Sequence, residues 1–250
     1  MTIIESPHNA TFKKLLSLTT AKGLKKEGLF LLSGTKLIRE FLAAPSLDIF
    51  YEVHEDGQKP LEVDAPSLQL TPPLFAHVDV LGTHAPLLVV KQPSLPRLDS
   101  FEGYIPHGIE VVVPVGDPAN LGAVIRSAEA FGVPRIILTR EAAHPFLPKA
   151  VKASAGSVLR VRMIQGPALD AVPESCMALD MEGEDINSFD WPSDGLLLLG
   201  EEGSGLDARR FKTRVRIPIQ GVESLNVAVA AGIALSRVPR RPTVPQSPLR

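Results

Sequence analysis

Asp117-Pro118-Ala119-Asn120-Leu121-Gly122-Ala123-Val124-Ile125-Arg126 follows the apolar run Ile109-Glu110-Val111-Val112-Val113 and opens a helix-like segment that reaches Phe131-Gly132. A strand, a turn and a helix start are written in one place. Asp117 is suited to cap the helix, and Pro118 fits its first position, where a missing N–H costs nothing. Asn120 falls in the first turn, beside free backbone N–H groups that favour anions and other electron-rich ligand atoms. Gly122 and Arg126 are four apart and share a helix face. The glycine leaves a gap there, and a long arginine side chain leans back towards the N-terminus across it. An amide, a gap and a guanidinium thus converge on one helix mouth. Alone, that mouth could hold a phosphate, a carboxylate or nothing.

The runs that follow extend the pattern. Arg135–Leu138, Ser157–Val161, Cys176–Leu179, Leu196–Leu199 and Val215–Ile217 are strand candidates alternating with helix signals. Leu196-Leu197-Leu198-Leu199 is apolar throughout, as expected of a parallel strand buried on both faces. Ligands in such sheets bind at the carboxyl ends of the strands. At the end of the Leu run stands Gly200-Glu201-Glu202-Gly203-Ser204-Gly205, where three glycines in six residues let the backbone approach a ligand closely. An ordinary strand-to-helix turn would read the same way. The order of glycines does not fit the dinucleotide-binding fingerprint, no P-loop lysine follows, and Glu202 stands where a nucleophile elbow needs glycine.

A third loop, Ile217-Pro218-Ile219-Gln220-Gly221-Val222-Glu223-Ser224-Leu225-Asn226, leads into a segment without charge from Leu225 to Ser236. That segment predicts a helix buried nearly all round, with Ser224 as its N-cap. Ala228, Ala231, Gly232 and Ala234 permit close packing. Asn226, an amide entering a buried helix, must find partners or cost a few kcal/mol, roughly. Tying down a neighbouring loop would be partner enough.

Before residue 97 the chain reads as a smaller α/β unit. Ser6 to Ala44 predicts two helices around a basic turn, Lys22 to Gly28, and a strand, Leu29–Leu32; Ile49–Val53 and Leu87–Lys91 are further strands. Residues 1 to 42 carry seven basic and three acidic side chains, although the whole chain has a formal charge of -2. Global charge therefore gives no support to nucleic-acid binding, and any such surface must be local. Gln92-Pro93-Ser94-Leu95-Pro96-Arg97 predicts a linker, and the tail with Pro239, Pro242, Pro245 and Pro248 predicts disorder. The boundaries expected are 1–96 for the first domain, 97–107 for the linker, 108–238 for the second domain and 239–250 for the tail. One cysteine, Cys176, excludes an internal disulfide and a Cys-rich zinc site; the six histidines show no metal spacing. No uncharged run approaches a membrane span, and Lys13 and Lys14 interrupt any secretory h-region. These features fit a cytoplasmic protein.

The three loops, in this order and spacing, resemble the signature motifs of the SpoU-type (TrmH) RNA methyltransferases of the SPOUT superfamily. Asn120, Gly122 and Arg126, flanked by Ser127-Ala128 and Phe131-Gly132, are similar to the first motif. Gly200, Glu202, Gly203 and Gly205 resemble the second, and Ile217-Pro218, Ser224, Leu225 and Asn226 the third. Lys152-Ala153-Ser154-Ala155-Gly156-Ser157 resembles a further family element, and Ser6-Pro7, Asn9, Lys14, Gly28-Leu29-Phe30 and Gly34 are similar to the family's substrate-binding domain. Ser33 and Glu201 depart from the usual pattern.

The resemblance implies an α/β catalytic domain with a mainly parallel sheet and a deep trefoil knot, preceded by a small α/β RNA-binding domain. It implies a homodimer that binds S-adenosylmethionine and methylates a ribose 2′-hydroxyl of RNA, ribosomal RNA before transfer RNA. It also implies roles: Arg126, Asn120, Glu202, Ser224 and Asn226 in catalysis, and Leu199, Gly200, Ile217, Ile219 and Leu225 around the cofactor. Lys14, Lys22, Lys25 and Lys26 would contact RNA, and no metal is expected. The alternatives are a transfer-RNA 2′-O-methyltransferase, a catalytically silent RNA-binding homologue, a nucleotide-dependent oxidoreductase and a base methyltransferase.

Overall fold

Apolar runs too short for a helix and too continuous for a half-exposed strand have to be buried on both sides, and the chain places such strands in each of two sheets: Leu29–Leu32 in the first, and Ile109–Val113 and Ile136–Leu138 in the second. The computed structural model describes residues 1–200 and 208–239. It divides into two compact units, Met1–Ser94 with His144–Leu159, and Leu95–Ala143 with the chain from Arg160 onward.

The first unit contains β1 (Thr2–Ile4), α1 (Ala10–Ser17), α2 (Ala21–Glu27), β2 (Leu29–Leu32), α3 (Thr35–Ala43), β3 (Ile49–Glu55), β4 (Ser67–Leu70), α4 (Pro72–Val78) and β5 (Leu87–Lys91). Its mixed sheet has the order β1-β4-β3-β5-β2. The pairs β1–β4 and β3–β4 are parallel, and β5 is antiparallel to both β3 and β2. All four residues of β2 are buried.

The basic stretch Lys22 to Gly28 is not a turn but the body of α2. Thr20 accepts a hydrogen bond from the Gly23 N–H at 3.1 Å, and Gly28 closes the helix at φ 63°. Gly23, the residue that suggested a turn, is where α2 meets the end of α1: a Cβ there would lie 1.9 Å from the Ser17 carbonyl oxygen. Close approach of two backbones, rather than a change of chain direction, is the reason for that glycine.

The second unit is a parallel sheet. It contains β6 (Ile109–Val113), α5 (Pro118–Ala130) and β7 (Ile136–Leu138). The next helix in the chain, α6 (Pro148–Ala153), packs against β2 in the first unit. The second unit resumes with β8 (Met163–Gln165), β9 (Met177–Asp185), β10 (Gly195–Leu198), β11 (Thr213–Arg216) and α7 (Val227–Arg237). Strand order is β11-β9-β10-β6-β7-β8, with every pairing parallel. Val111, Val112 and Leu197 are fully buried, as the apolar runs required.

Four expectations need correction here. The run Ser157–Val161 holds a short 3-10 helix, Ser157–Leu159, and the strand comes later as β8. Residues 144–159 belong with the first unit, although their place in the chain put them in the second domain. Their anchor is apolar: Phe146, fully buried, lies 5.1 Å from Phe30 of β2, ring to ring. Residues 97–107 are no free linker. Leu98 N–H donates to the Gln165 carbonyl at 2.8 Å, and Phe101 enters the core with Val112, Ile137 and Leu198. Tyr104 donates to the buried Glu110 carboxylate and accepts from Arg135 at 2.6 Å; burial, then that carboxylate, pushes its hydroxyl up to about 12. Finally, α7 is not buried all round: Val229 is 51% exposed.

Most of the tail lies outside the described residues. Among those described, no helix is long and apolar enough to cross a membrane.

Two outcomes are expected. Gly23→Ala should lower stability by about 3 kcal/mol through overpacking at the α1–α2 crossing. Gly28→Ala should cost only about 1 kcal/mol of left-handed strain. Urea titration of both variants checks the ranking. His144, buried in the first unit, is held down to about 4 by desolvation and then by the Lys25 charge. Between about pH 6.5 and 4 the unfolded chain therefore binds a proton that the folded chain refuses, and stability falls as pH falls through that window. His144→Gln should remove that part of the acid sensitivity, up to about 3 kcal/mol, in unfolding curves at pH 7.5 and 4.5.

Candidate functional site

The carboxyl ends of β6, β9, β10 and β11 are where a parallel sheet exposes its ligand-binding loops, and a cavity of about 710 Å3 is built from the loops of β9, β10 and β11 and from α7. Its size falls in the range of small-molecule sites. Gly200, Ile217, Ile219, Ser224, Leu225 and Asn226 line it, together with Leu179, Asp180, Met181, Val215, Val227 and Ala230.

The first wall comes from the end of the Leu run. Leu199 N–H donates to the Val112 carbonyl at 3.0 Å, which locks β10 to β6 and leaves Leu199 buried behind the lining. Gly200 is the residue that reaches the cavity. Glu202, Gly203 and Gly205 lie outside the described residues.

The second wall is an irregularity in β9. Ala178 pairs with Arg214, but the next partners are Glu184 and Val215. Residues 179–183 therefore bulge out of the ladder opposite no residue of β11. Leu179, Asp180 and Met181 on this bulge face the cavity. Asp180 is held by Arg214 at 3.6 Å, so a carboxylate in the wall is charge-paired. The bulge closes at Gly183, where a Cβ would stand 2.4 Å from the Arg214 carbonyl carbon. Sequence reasoning missed these three lining residues. Their signal was Gly183 inside an otherwise continuous strand pattern, which marks a bulge or a close backbone approach.

The third wall is the loop into α7. Asn226, not Ser224, is the N-cap: its Oδ1 accepts from the Ala228 N–H at 2.9 Å and the Val229 N–H at 3.4 Å. An amide outdoes a hydroxyl here because it also offers a donor. Asn226 Nδ2 donates to Asn120 Oδ1 at 3.0 Å. Ser224 stays exposed on the cavity lining.

Asn120 sits in the first turn of α5, as its spacing predicted. Asp117 caps that helix, accepting from the Asn120 N–H at 2.8 Å, and Pro118 opens it. The hydrogen bond between the two asparagines thus joins the mouth of α5 to the mouth of α7. The helices also pack side by side, with the Gly232 backbone close enough that a Cβ would meet Ser127 Oγ at 3.7 Å. Arg126, two turns into α5, is exposed and has no ion-pair or hydrogen-bond partner among the described residues. Neither Arg126 nor Asn120 is among the residues that line the cavity; Arg126 is tied to it only through its helix, whose Asn120 bonds the lining residue Asn226, and an exposed guanidinium so placed can receive a phosphate or a developing oxyanion.

Other candidates stand apart. Lys22, Lys25 and Lys26 are exposed on α2, and Lys14 pairs with Glu27 at 3.5 Å. Cys176 is buried in the second core, and burial pushes its thiol up to about 12, so it is no nucleophile at neutral pH. No cluster of three potential metal ligands occurs among the described residues.

Comparisons with known proteins fit this geometry. Residues 109–236 match the model of the SpoU rRNA Methylase family. A protein of Syntrophobacter fumaroxidans named ribosomal RNA small subunit methyltransferase G 2 is 42% identical over 239 residues, which are 93% of this chain but only 48% of that one. The chain thus spans about half the length of that relative. A Bacillus subtilis protein named 23S rRNA (guanosine(2553)-2′-O)-methyltransferase RlmP is 27% identical over 92% of this chain and 96% of its own. The crystal structure of an AdoMet-bound rRNA methyltransferase from Sinorhizobium meliloti superposes with a TM-score of 0.73 at 26% identity, over 94% of this chain and 97% of that one. With the family model covering the strands, the α5 and α7 mouths and the cavity loops alike, this chain belongs to the SpoU rRNA methylase family.

Proposed function

We propose that this protein transfers a methyl group from S-adenosylmethionine to a ribose 2′-hydroxyl of RNA, ribosomal RNA in the first instance. The observation that carries the reading is the Asn226–Asn120 hydrogen bond, which sets the α5 helix bearing Arg126 against the wall of the 710 Å3 cavity. The ribose assignment is supported by the name of the Bacillus relative, which this chain matches along 96% of its length. The name of the Syntrophobacter relative describes a protein twice as long and weighs less.

The cavity suits the cofactor. Ile217, Ile219 and Leu225 offer an apolar lining for an adenine, and Gly200 lets the backbone approach without a side chain in the way. When bound, S-adenosylmethionine supplies an electrophilic methyl group. The residues of the chain then have three tasks. Arg126 holds the phosphate next to the target ribose and stabilises charge developing on the hydroxyl oxygen; a guanidinium stays protonated and is a poor base, so the hydroxyl proton passes to solvent water. Asn120 and Ser224 orient that hydroxyl or Arg126. Asn226 keeps the two helix mouths in register.

We infer too that the β9–β11 region is knotted as in the wider family. Membership of the SpoU family, whose model spans residues 109–236 and so includes β9 and β11, supports the knot. A homodimer completes the reading, built on the apolar side chains that α7 and its loop leave outside: Val222 is 59% exposed and Val229 51%.

Arg126→Ala should lower methyl transfer to RNA by about 100-fold or more while S-adenosylmethionine binding stays within a few-fold. Radiolabelled transfer and calorimetry measure the two, and wild-type turnover in the variant would remove Arg126 from the site. Mapping the label as 2′-O-methyl nucleoside tests the ribose assignment against a base. Val229→Glu should shift the protein to monomer in sedimentation, and an unchanged dimer would rule out this face.

A further inference from the structure

The charge of the first unit is divided along the chain. Residues 1–42 and 144–159 together carry nine lysines and arginines against three acidic side chains, whereas residues 43–94 carry two against seven. The basic portions meet on one strand: β2, an edge of its sheet, packs against both α2 and α6. Phe146 lies on Phe30, and the Lys25 charge is felt at His144, so the two segments are neighbours.

Both helices turn lysines outward. On α2, Lys22, Lys25 and Lys26 follow i, i+3, i+4 spacing and are exposed, while Gly23 and Leu24 are buried. On α6, Lys149 and Lys152 are three apart and exposed, while Pro148, Ala150 and Val151 are buried. Glu27 engages Lys14 and Lys26, but Lys22, Lys25, Lys149 and Lys152 have no carboxylate partner among the described residues. Four uncompensated cations on neighbouring helices have the chemistry of a surface that releases counterions from a phosphate backbone.

We propose that Lys149 and Lys152 of α6 form, with Lys22 and Lys25 of α2, one RNA-backbone-binding surface. The surface is discontinuous in sequence: half of it comes from the stretch between β7 and β8 that packs with the first unit. The inference rests on the reading of RNA as substrate and goes beyond it by naming where the phosphates lie. Such contacts are indifferent to base identity, so this face sets affinity and register while the cavity loops set the target.

The test uses the full chain with two probes, poly(U) and purified 23S ribosomal RNA. The double variant Lys149→Glu/Lys152→Glu should bind both more weakly. The slope of log affinity against log salt on poly(U) should fall in magnitude by about 1.4, roughly 0.7 for each lost phosphate contact. Lys149→Gln/Lys152→Gln should give the same direction with less risk to folding, and S-adenosylmethionine affinity should be unchanged in both. Lys59→Glu, in the acidic portion, should leave the slope as it is. Lys25→Glu should raise the His144 pKa, read from its imidazole NMR signals, because a repelling charge becomes an attracting one. An unchanged salt slope in both Lys149/Lys152 variants overturns the proposal, and so does an unmoved His144. Failure of the wild-type protein to bind either RNA overturns the RNA reading itself, a different result from binding that ignores α6.

Discussion

The site depends on one amide whose two ends are both committed. Asn226 Oδ1 is taken by two N–H groups at the start of α7, so only its Nδ2 remains to act across the gap, and Asn120 has to present its carbonyl oxygen in reply. That logic fixes the rotamer sense of both side chains without a charge. Helix starts tend to repel one another because their free N–H groups carry like partial charge. An asparagine pair, unlike two aspartates or two lysines, can bridge them because each amide holds a donor and an acceptor. The close passage of Gly232 beside Ser127 then keeps α5 and α7 in step further along.

The cavity beside this bridge owes its existence to a strand that leaves its ladder. A regular β9 would fill the space with hydrogen-bonded backbone. Because residues 179–183 swing out, Leu179 and Met181 become walls and Asp180 turns to Arg214. The pairing of that carboxylate leaves the rest of the lining mostly apolar side chains and backbone, an environment that offers contact area rather than charge.

Much of this was legible in the chain itself because its signals are local. The α5 start was written completely by Asp117, Pro118 and Asn120, and the buried strands by unbroken apolar runs. What stayed hidden depended on partners far away in sequence. Gly23 looks like a turn residue until α1 is seen pressing on it, and Ser224 looks like the better cap until Asn120 is found opposite Asn226. The proline-rich stretch looks like a linker because nothing near it announces that Phe101 has a core to enter. Residues 144–159 carry an ordinary apolar pattern that cannot say which sheet it will cover. The exposed Val229 belongs to the same class: an all-apolar helix predicts burial but not by what.

The placement of α6 has a consequence for the order in which the protein forms. A chain made from its N-terminus would ordinarily finish a first unit before starting the next. Here the face of β2 that receives Phe146 stays bare until residues 144–159 have emerged, and β6, α5 and β7 are all synthesised before that. A chain whose synthesis pauses between β5 and α6 therefore lacks the segment that brings Phe146 onto Phe30, and that face of β2 meets water instead.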